Sequence, residues 1–465
     1  MTQAPLILWF RRDLRLADHP MLAEAAATGR PLVPVFVLDP ETDSIGAAAK
    51  WRLGLAVQAF SDRLQTLGQR LTLRRGAALR VLERLVAETG ASGVWWSRLY
   101  DNAARARDGA VKTALREAGH EARSFPGHLL HEPWEVMTGQ GGLYRVYTPF
   151  WNAVRGRGVP TPDPAPETLR PPEIWPESEA LPDWRLGQAM QRGALVVRPW
   201  QRVGEAAARD RLAHFLDGPV DTYAEMRNRM DIDGGSGLSE NLTYGEIGIR
   251  EVWHCGLRAL HEGRGGAERF LMELVWRDFA WHLMFHFPDL ARRNWRPEWD
   301  SFPWRGDNPD AERWRRGLTG EPAVDAAMRE MYVTGKMHNR ARMLAASYLT
   351  KHLLTDWRVG LKWFADCLTD WDAASNAMGW QWVAGSGPDA APYFRIFNPA
   401  TQSKTYDPHG TWRDRWLGRG SEARSYFDVV PRRWNLSPDS PPPPPLVGLA
   451  QGRARALEAW QQRKP

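Results

Sequence analysis

LILWFRRDLRLADHPMLAEAAATGRPLVPVFVL, residues 6–38, decides the architecture of the first part of the chain. Two short apolar, β-rich runs, LILWF (6–10) and LVPVFVL (32–38), flank a stretch of helical patterning at 20–27. Short continuous apolar runs of this kind fit strands buried on both faces. Working outward, LTLRR (71–75) and GVWW (93–96) are further strand candidates, and 47–67, 78–88 and 103–118 carry helical patterning. Strand–helix alternation predicts a parallel sheet covered on both sides over residues 1–125. No G-x-G-x-x-G follows the first strand and no G-x-x-x-x-G-K-[ST] occurs, so no dinucleotide or P-loop motif is present. Such a sheet still offers its strand C-termini to a ligand.

The rest of the chain differs. Residues 126–200 read as irregular, with prolines clustered in VPTPDPAPETLRPP (159–172), as expected of a long surface connector. From about 203 to 430 the pattern is helical, broken by loops such as DIDGGSGL (231–238) and 295–310. Pro441 to Pro445 form a polyproline stretch, and a last helix is expected at about 447–462. A length of 465 residues suggests two or three domains. No apolar run is long enough to cross a membrane, and the start lacks the basic region of a secretory signal. Two cysteines, Cys255 and Cys367, exclude a disulfide scaffold and a zinc cluster and fit a reducing cytoplasm. A net charge of +6 mildly favours a polyanionic partner. The outlying number is 25 tryptophans, far above ordinary usage.

Four segments of the helical part combine unlike side chains. In ERFLMELVWRDF, Glu273, Trp276 and Arg277 share a helix face at i, i+3 and i+4, which suits either a solvated face or a pocket wall. In KMHNRARMLAASYL, Asn339, Arg342 and Met343 do the same, and a capping Asn beside a paired Arg is the plainer alternative. In WDAASNAMGWQWVAG, Asp372, Asn376 and Trp380 are spaced by four behind Asp370, and Asp372 equally suits a helix N-cap. On this spacing Trp382 points elsewhere. The loop GGSGLSENLTYGEIGIREVW (234–253) presents glycine amides and the Ser236 and Ser239 hydroxyls ahead of a helix; it suits a phosphate or only a flexible turn.

Together with TYAEMRNR, AVDAAMREMYVTGKMHNRARMLAASYLTKHLLTDW and GWQWVAGSGPDAAPYFRIFNPATQ, and with the opening LILWFRRDLRLADHP, these segments resemble the photolyase/cryptochrome family of flavoproteins over nearly the whole chain. The resemblance implies a Rossmann-like α/β domain at 1–130 with a parallel sheet, a connector at 131–200, and an all-α FAD-binding and lesion-binding domain at 201–465. It implies FAD held by Tyr223, Ser236, Leu238, Ser239, Arg277, Arg342, Asp370, Asp372 and Asn376, with Asn376 facing flavin N5. Asn at that position matches the repair members rather than the plant or insect receptors. The positions matching contacts to a flipped-out pyrimidine dimer are Glu273, Trp276, Asn339, Met343 and Trp382, and those matching DNA phosphate contacts are Arg227, Arg340 and Lys404. Trp380, Trp357 and Trp304 match an indole chain that carries an electron to photoexcited flavin.

The implied activity is light-driven, FADH⁻-dependent splitting of cyclobutane pyrimidine dimers in UV-damaged DNA, by a monomer, with no metal and no membrane. A cryptochrome-type blue-light receptor signalling through a partner, a (6-4) photolyase and a flavin-binding protein without repair activity are the alternatives. A (6-4) enzyme would carry a His pair at the cavity wall, where this chain has His338 and Asn339. The sequence departs from the family pattern at Gly235 and Glu240 (usually Thr and Pro), at Lys336 (usually Trp), at Ala377-Met378-Gly379 after the Asn facing N5, and at Trp416-Leu417-Gly418-Arg419. Folate-binding members have an Asn-Glu pair where this chain has Ala103 and Ala104, ahead of Arg105, Arg107 and Asp108. A deazaflavin, a flavin, a folate held differently, or no antenna chromophore stay open.

Overall fold

In a computed structural model, residues 3–389 and 395–462 are described. Five parallel strands, β1 (Leu6–Phe10), β2 (Leu32–Leu38), β3 (Thr72–Arg75), β4 (Gly93–Ser97) and β5 (Glu121–Phe125), form one sheet in the order β3-β2-β1-β4-β5. β1 lies at the centre, with Leu6 opposite Leu32 on one side and Gly93 on the other. Every residue of LILWF is buried because the two faces of the strand enter different cores. Leu6, Leu8 and Phe10 pack with the helices Pro20–Ala27 and Ala47–Gln65, and Ile7 and Trp9 with Ala78–Thr89 and Asn102–Glu117. This is why the run reads as continuously apolar rather than alternating. The sequence signal missed β5: EARSF is a half-exposed edge strand and carries no apolar run.

The remainder is mostly helical among the described residues. Within the stretch expected to be irregular, Tyr147–Val154 is a helix whose Tyr147, Phe150, Trp151 and Val154 join the core around the long helix Ala267–His286. The last helix spans Leu449–Gln461 and packs on the buried segment Tyr348–His352, where Gly452 approaches the His352 ring too closely for a side chain.

The sheet and the helices are locked by buried polar contacts. Arg52, fully buried on Ala47–Gln65, donates to Glu246 at 2.9 and 2.6 Å and to Glu240 at 3.0 Å. Tyr244 Oη donates to the carbonyl of Thr369 (2.6 Å) and lies 3.1 Å from that of Ala49. Gly245, at φ +65°, lies so close to the Arg12 carbonyl that no other residue fits.

Candidate functional site

Three helices and a loop enclose a cavity of about 350 Å³. Each helix contributes one stripe. Phe270, Glu273, Leu274 and Arg277 come from Ala267–His286, and Asn339, Arg342, Met343 and Ala346 from Asn339–Ser347. Asn376, Gly379, Trp380 and Val383 come from Ala373–Ala384. The spacing i, i+3, i+4, i+7 puts each set on one face. Tyr223, the loop residues Ser236 and Leu238, Ser239 at the start of the helix Ser239–Tyr244, and Asp370 and Asp372 also line it. All nine residues expected at the cofactor therefore meet in this one cavity, and Glu273, Asn339, Met343 and Trp380 line it as well.

The polar groups are organised. The Asp370 carboxylate accepts from Arg342 (3.0 and 2.8 Å) and from Ser239 Oγ (2.8 Å). Asp372 serves as N-cap, accepting from the Ser375 amide at 2.8 Å, while its other oxygen accepts from the Trp281 indole at 3.1 Å. Asn376 donates its amide hydrogen to the Leu361 carbonyl at 3.2 Å, so the acceptor oxygen is the end left for the cavity.

Arg277 tests the fit to FAD. Burial pushes its guanidinium pKa down, its contacts are the His128 carbonyl (2.6 Å) and ring, and it makes no ion pair among the described residues. A buried cation that borders a cavity and is in ion-pair contact with none of its carboxylates is suited to an anion. With the Ser236 hydroxyl on the same cavity, the donor set fits a diphosphate, and Asn376, Arg342 and Asp370 offer polar edges for a flavin.

Of the residues expected at a dimer, Glu273, Asn339 and Met343 line this cavity and Trp276 and Trp382 do not. Glu273 pairs with Arg227 in a short contact and with Arg269, one turn earlier, at 2.9 Å. Trp276 stacks on Tyr147, ring centroids 3.7 Å apart and planes at 6°, and Tyr147 donates its hydroxyl to the Met272 carbonyl at 2.6 Å. Trp382 donates to the Asp389 carbonyl at 3.0 Å. Arg340 donates to Asn228 at 2.6 Å and lies over the Tyr406 ring, and Lys404 is exposed on the same helix as Tyr406 (Pro399–Tyr406). Arg227, Trp276, Arg340, Trp382 and Lys404 do not line the enclosed cavity. Sequence reasoning missed Arg269, whose i−4 spacing to Glu273 was legible, and Tyr147, His128 and Trp281, which only the tertiary fold brings in. Residues 390–394 of the quoted stretch GWQWVAGSGPDAAPYFRIFNPATQ lie outside the described residues.

Trp380 is buried with its six-membered ring against Gly360 and edge-on to Phe364 at 4.9 Å. Gly360 is one turn from Trp357, the fully buried first residue of Trp357–Cys367. Trp304 neighbours Arg305, whose backbone pairs with Leu354 and Asp356, so the third indole is brought to the start of the same helix.

Two departures from the family pattern are partners: Lys336 Nζ lies 3.2 Å from Glu240, which Arg52 and Arg211 also hold.

Comparisons with known proteins decide the family. The family model described as DNA photolyase matches residues 6–168, and the FAD binding domain of DNA photolyase matches 270–462. A deoxyribodipyrimidine photo-lyase of Agrobacterium fabrum is 42% identical, covering 98% of each chain.

The chain belongs to the DNA photolyase family.

Its helical part is an FAD-binding domain, and FAD is its cofactor. Within this family, cryptochrome-1 of Arabidopsis thaliana is 33% identical over 98% of this chain and 70% of its own. A bacterial class III photolyase structure from Agrobacterium tumefaciens superposes with a TM-score of 0.91 at 41% identity, covering 99% of this chain and 98% of that one. An archaeal photolyase from Sulfolobus tokodaii, described with two FAD molecules, gives 0.81 at 26% identity, covering 98% and 99%.

A second cavity of about 370 Å³ lies beyond the C-terminal ends of β1 and β4. There the strand order changes direction, the point at which open α/β sheets take ligands. Arg11, Arg12, Phe36, Ala103 and Ala104 line it from the sheet side and Trp281 and Met284 from the helical side. Trp371 is a wall of both cavities. Arg107 and Asp108 hold this rim together by pairing with Asp39 and Arg11. Among the described residues, no helix is long and apolar enough to cross a membrane, and no three His, Cys, Asp or Glu side chains cluster as metal ligands.

Proposed function

We propose that the chain is a light-driven DNA-repair enzyme, a deoxyribodipyrimidine photo-lyase that splits cyclobutane pyrimidine dimers. The supporting observation is the single cavity that joins the cofactor set to Glu273, Asn339 and Met343. Reduced FAD supplies the light absorption and the electron lent to the dimer. Arg277, Ser236 and Ser239 would hold its diphosphate, Tyr223 and Leu238 the adjoining chain, and Arg342, Asp370, Asp372 and Asn376 the flavin side. The Arg342–Asp370 pair is electrically balanced, so it orients a neighbour without adding net charge.

A dimer flipped from the duplex would meet Trp276 and Trp382 on its flanks and Glu273 and Asn339 on its polar edges. The Tyr147 stack holds the Trp276 ring plane before substrate arrives, which lowers the ordering cost of binding. Arg269 and Arg227 hold the Glu273 carboxylate in place beside the cavity. Arg227 serves twice: a DNA phosphate competes for it and releases Glu273 toward the dimer. Arg340 and Lys404 supply further sequence-independent phosphate contacts. His338 disfavours a (6-4) reading. Burial pushes its pKa down to about 4, and its Nδ1 accepts from the Arg340 amide as a helix cap, so it is not a ready proton donor.

The cavity at the sheet's switch point is the proposed site of a second, light-harvesting chromophore. Ala103 and Ala104 on its rim provide no carboxylate, which favours a flavin or deazaflavin over a folate anchored by glutamate. The division at about residues 130 and 200, a monomeric state and a cytoplasmic location belong to the same proposal.

Illumination of the purified, reduced holoprotein with a dimer-containing oligonucleotide should restore thymine absorbance, with no recovery in the dark. Full FAD loading without recovery would instead favour a cryptochrome-type receptor.

A further inference from the structure

The middle indole of the proposed electron path has an unusual partner. Trp357 is fully buried, and its indole N–H donates to the side-chain oxygen of Asn294 at 2.8 Å. Asn294 is itself buried at 5% exposure and donates its amide hydrogen to Asp300 at 2.6 Å. The Arg358 guanidinium lies 4.5 Å from the Trp357 ring centroid and is paired with Asp356 at 2.9 Å. Nothing in the cofactor cavity or the lesion wall uses Asn294.

The chemistry of this triplet is specific. An indole that loses an electron becomes a radical cation and a much stronger acid at its N–H. An amide oxygen accepts a hydrogen bond but cannot keep the proton. The carboxylate of Asp300 stands behind the amide, where it polarises Asn294 toward the indole without touching the N–H. Arg358 acts in the opposite sense, disfavouring a lasting positive charge on the ring.

We propose that Asn294 is a positioning residue of the electron path: by holding the Trp357 N–H on an amide oxygen, it makes oxidised Trp357 keep its proton and pass the positive charge on to Trp304. This rests on the path Trp380–Trp357–Trp304. Trp380 gives one electron to photoexcited, oxidised flavin, Trp357 gives one to Trp380, and Trp304 gives one to Trp357. Trp304 is left one electron short, and an external one-electron reductant such as a thiol returns it. No bond forms or breaks and no proton moves at Trp357. A proton lost there would leave a neutral radical that recovers its electron only by taking the proton back, and outward transfer would stall.

The experiment is transient absorption of the oxidised-flavin holoprotein with added thiol, comparing wild type, Asn294→Asp, Asn294→Leu and Trp357→Phe. Asn294→Asp is nearly isosteric but places a base on the N–H. The expected result is a neutral tryptophan radical that accumulates with a solvent deuterium isotope effect, together with a several-fold slower flavin photoreduction. Wild-type kinetics with no isotope effect in Asn294→Asp would overturn the proposal. Unchanged photoreduction in Trp357→Phe would instead refute the path itself, and the proposal with it. A dark measurement covers a variant that loses cofactor. In the ¹⁵N-indole-labelled full chain, the Trp357 N–H resonance should shift and exchange faster with D₂O in Asn294→Leu, and an unchanged resonance would show that Asn294 does not hold it.

Discussion

Glu273 is where single-residue chemistry is most exposed to test. Its carboxylate is held between Arg227 and Arg269 while one face borders the cavity. Glu273→Ala should lower the quantum yield of dimer repair more than it lowers FAD content; an unchanged yield would remove Glu273 from the reaction. Arg269→Ala should leave FAD content unaltered and weaken repair less than Glu273→Ala, because the carboxylate itself remains at the cavity wall. Asp278, next to Arg277, shows the cost of burying a charge. Burial pushes its carboxyl up to about 7, although the amides of Leu130 (2.9 Å) and His131 (3.2 Å) donate to it. Between about pH 4 and 7 the native state therefore keeps a proton that the unfolded chain releases, and stability falls as pH rises through that window. Asn keeps an acceptor oxygen and has no charge to bury. Melting temperatures followed by circular dichroism should thus favour Asp278→Asn increasingly from about pH 5.5 to about pH 8; parallel curves would rule Asp278 out as the source.

At the scale of elements, the helix Ala373–Ala384 is fixed at its start by Asp372, which caps it and also accepts from Trp281. Asp372→Ala should cost about 1 kcal/mol from the cap alone, and more in total because the Trp281 N–H loses its partner in the interior. A denaturant titration of the holoprotein checks this, with FAD release as a second reading. The last helix, Leu449–Gln461, packs Ala456 and Ala459 against Trp299, Phe302 and Leu354, next to Trp304. Gly452→Leu would drive a side chain into the His352 ring and lift the helix. The expected outcome is stronger iodide quenching of tryptophan fluorescence, with the far-UV circular dichroism of the rest retained.

At the scale of the molecule, the join between sheet and helices is made by Arg52 with Glu240 and Glu246, all nearly inaccessible to solvent. Arg52→Met would strand the buried Glu246 carboxylate, while Glu240 keeps Lys336 and Arg211, at a cost of about 3–5 kcal/mol. Because Glu240 follows Ser239, proposed to hold the cofactor, in the helix Ser239–Tyr244, the variant should melt earlier and also lose FAD on gel filtration. Affinity for DNA should fall steeply with salt if Arg227, Arg340 and Lys404 contact phosphates, and replacing one of them with Ala should reduce the slope by about 1.

The sequence by itself determined the layered first part, through the fully apolar LILWF and LVPVFVL, and set unlike polar and aromatic residues at helical spacing; an expected cofactor role for them came only from the family resemblance. Those signals are local, set by periodicity along one element. The family resemblance, not periodicity, singled out five of the 25 tryptophans, Trp276, Trp304, Trp357, Trp380 and Trp382. Only the tertiary structure decided the partners. Tyr147 reaches Trp276 from a stretch that reads as a connector, and Asn294 reaches Trp357 across 63 positions of the chain. Lys336 answers Glu240, so two departures that look like separate losses in the sequence form one ion pair. Contacts between distant residues depend on how elements pack, and periodicity within an element carries no record of what lies on the other side of the interface.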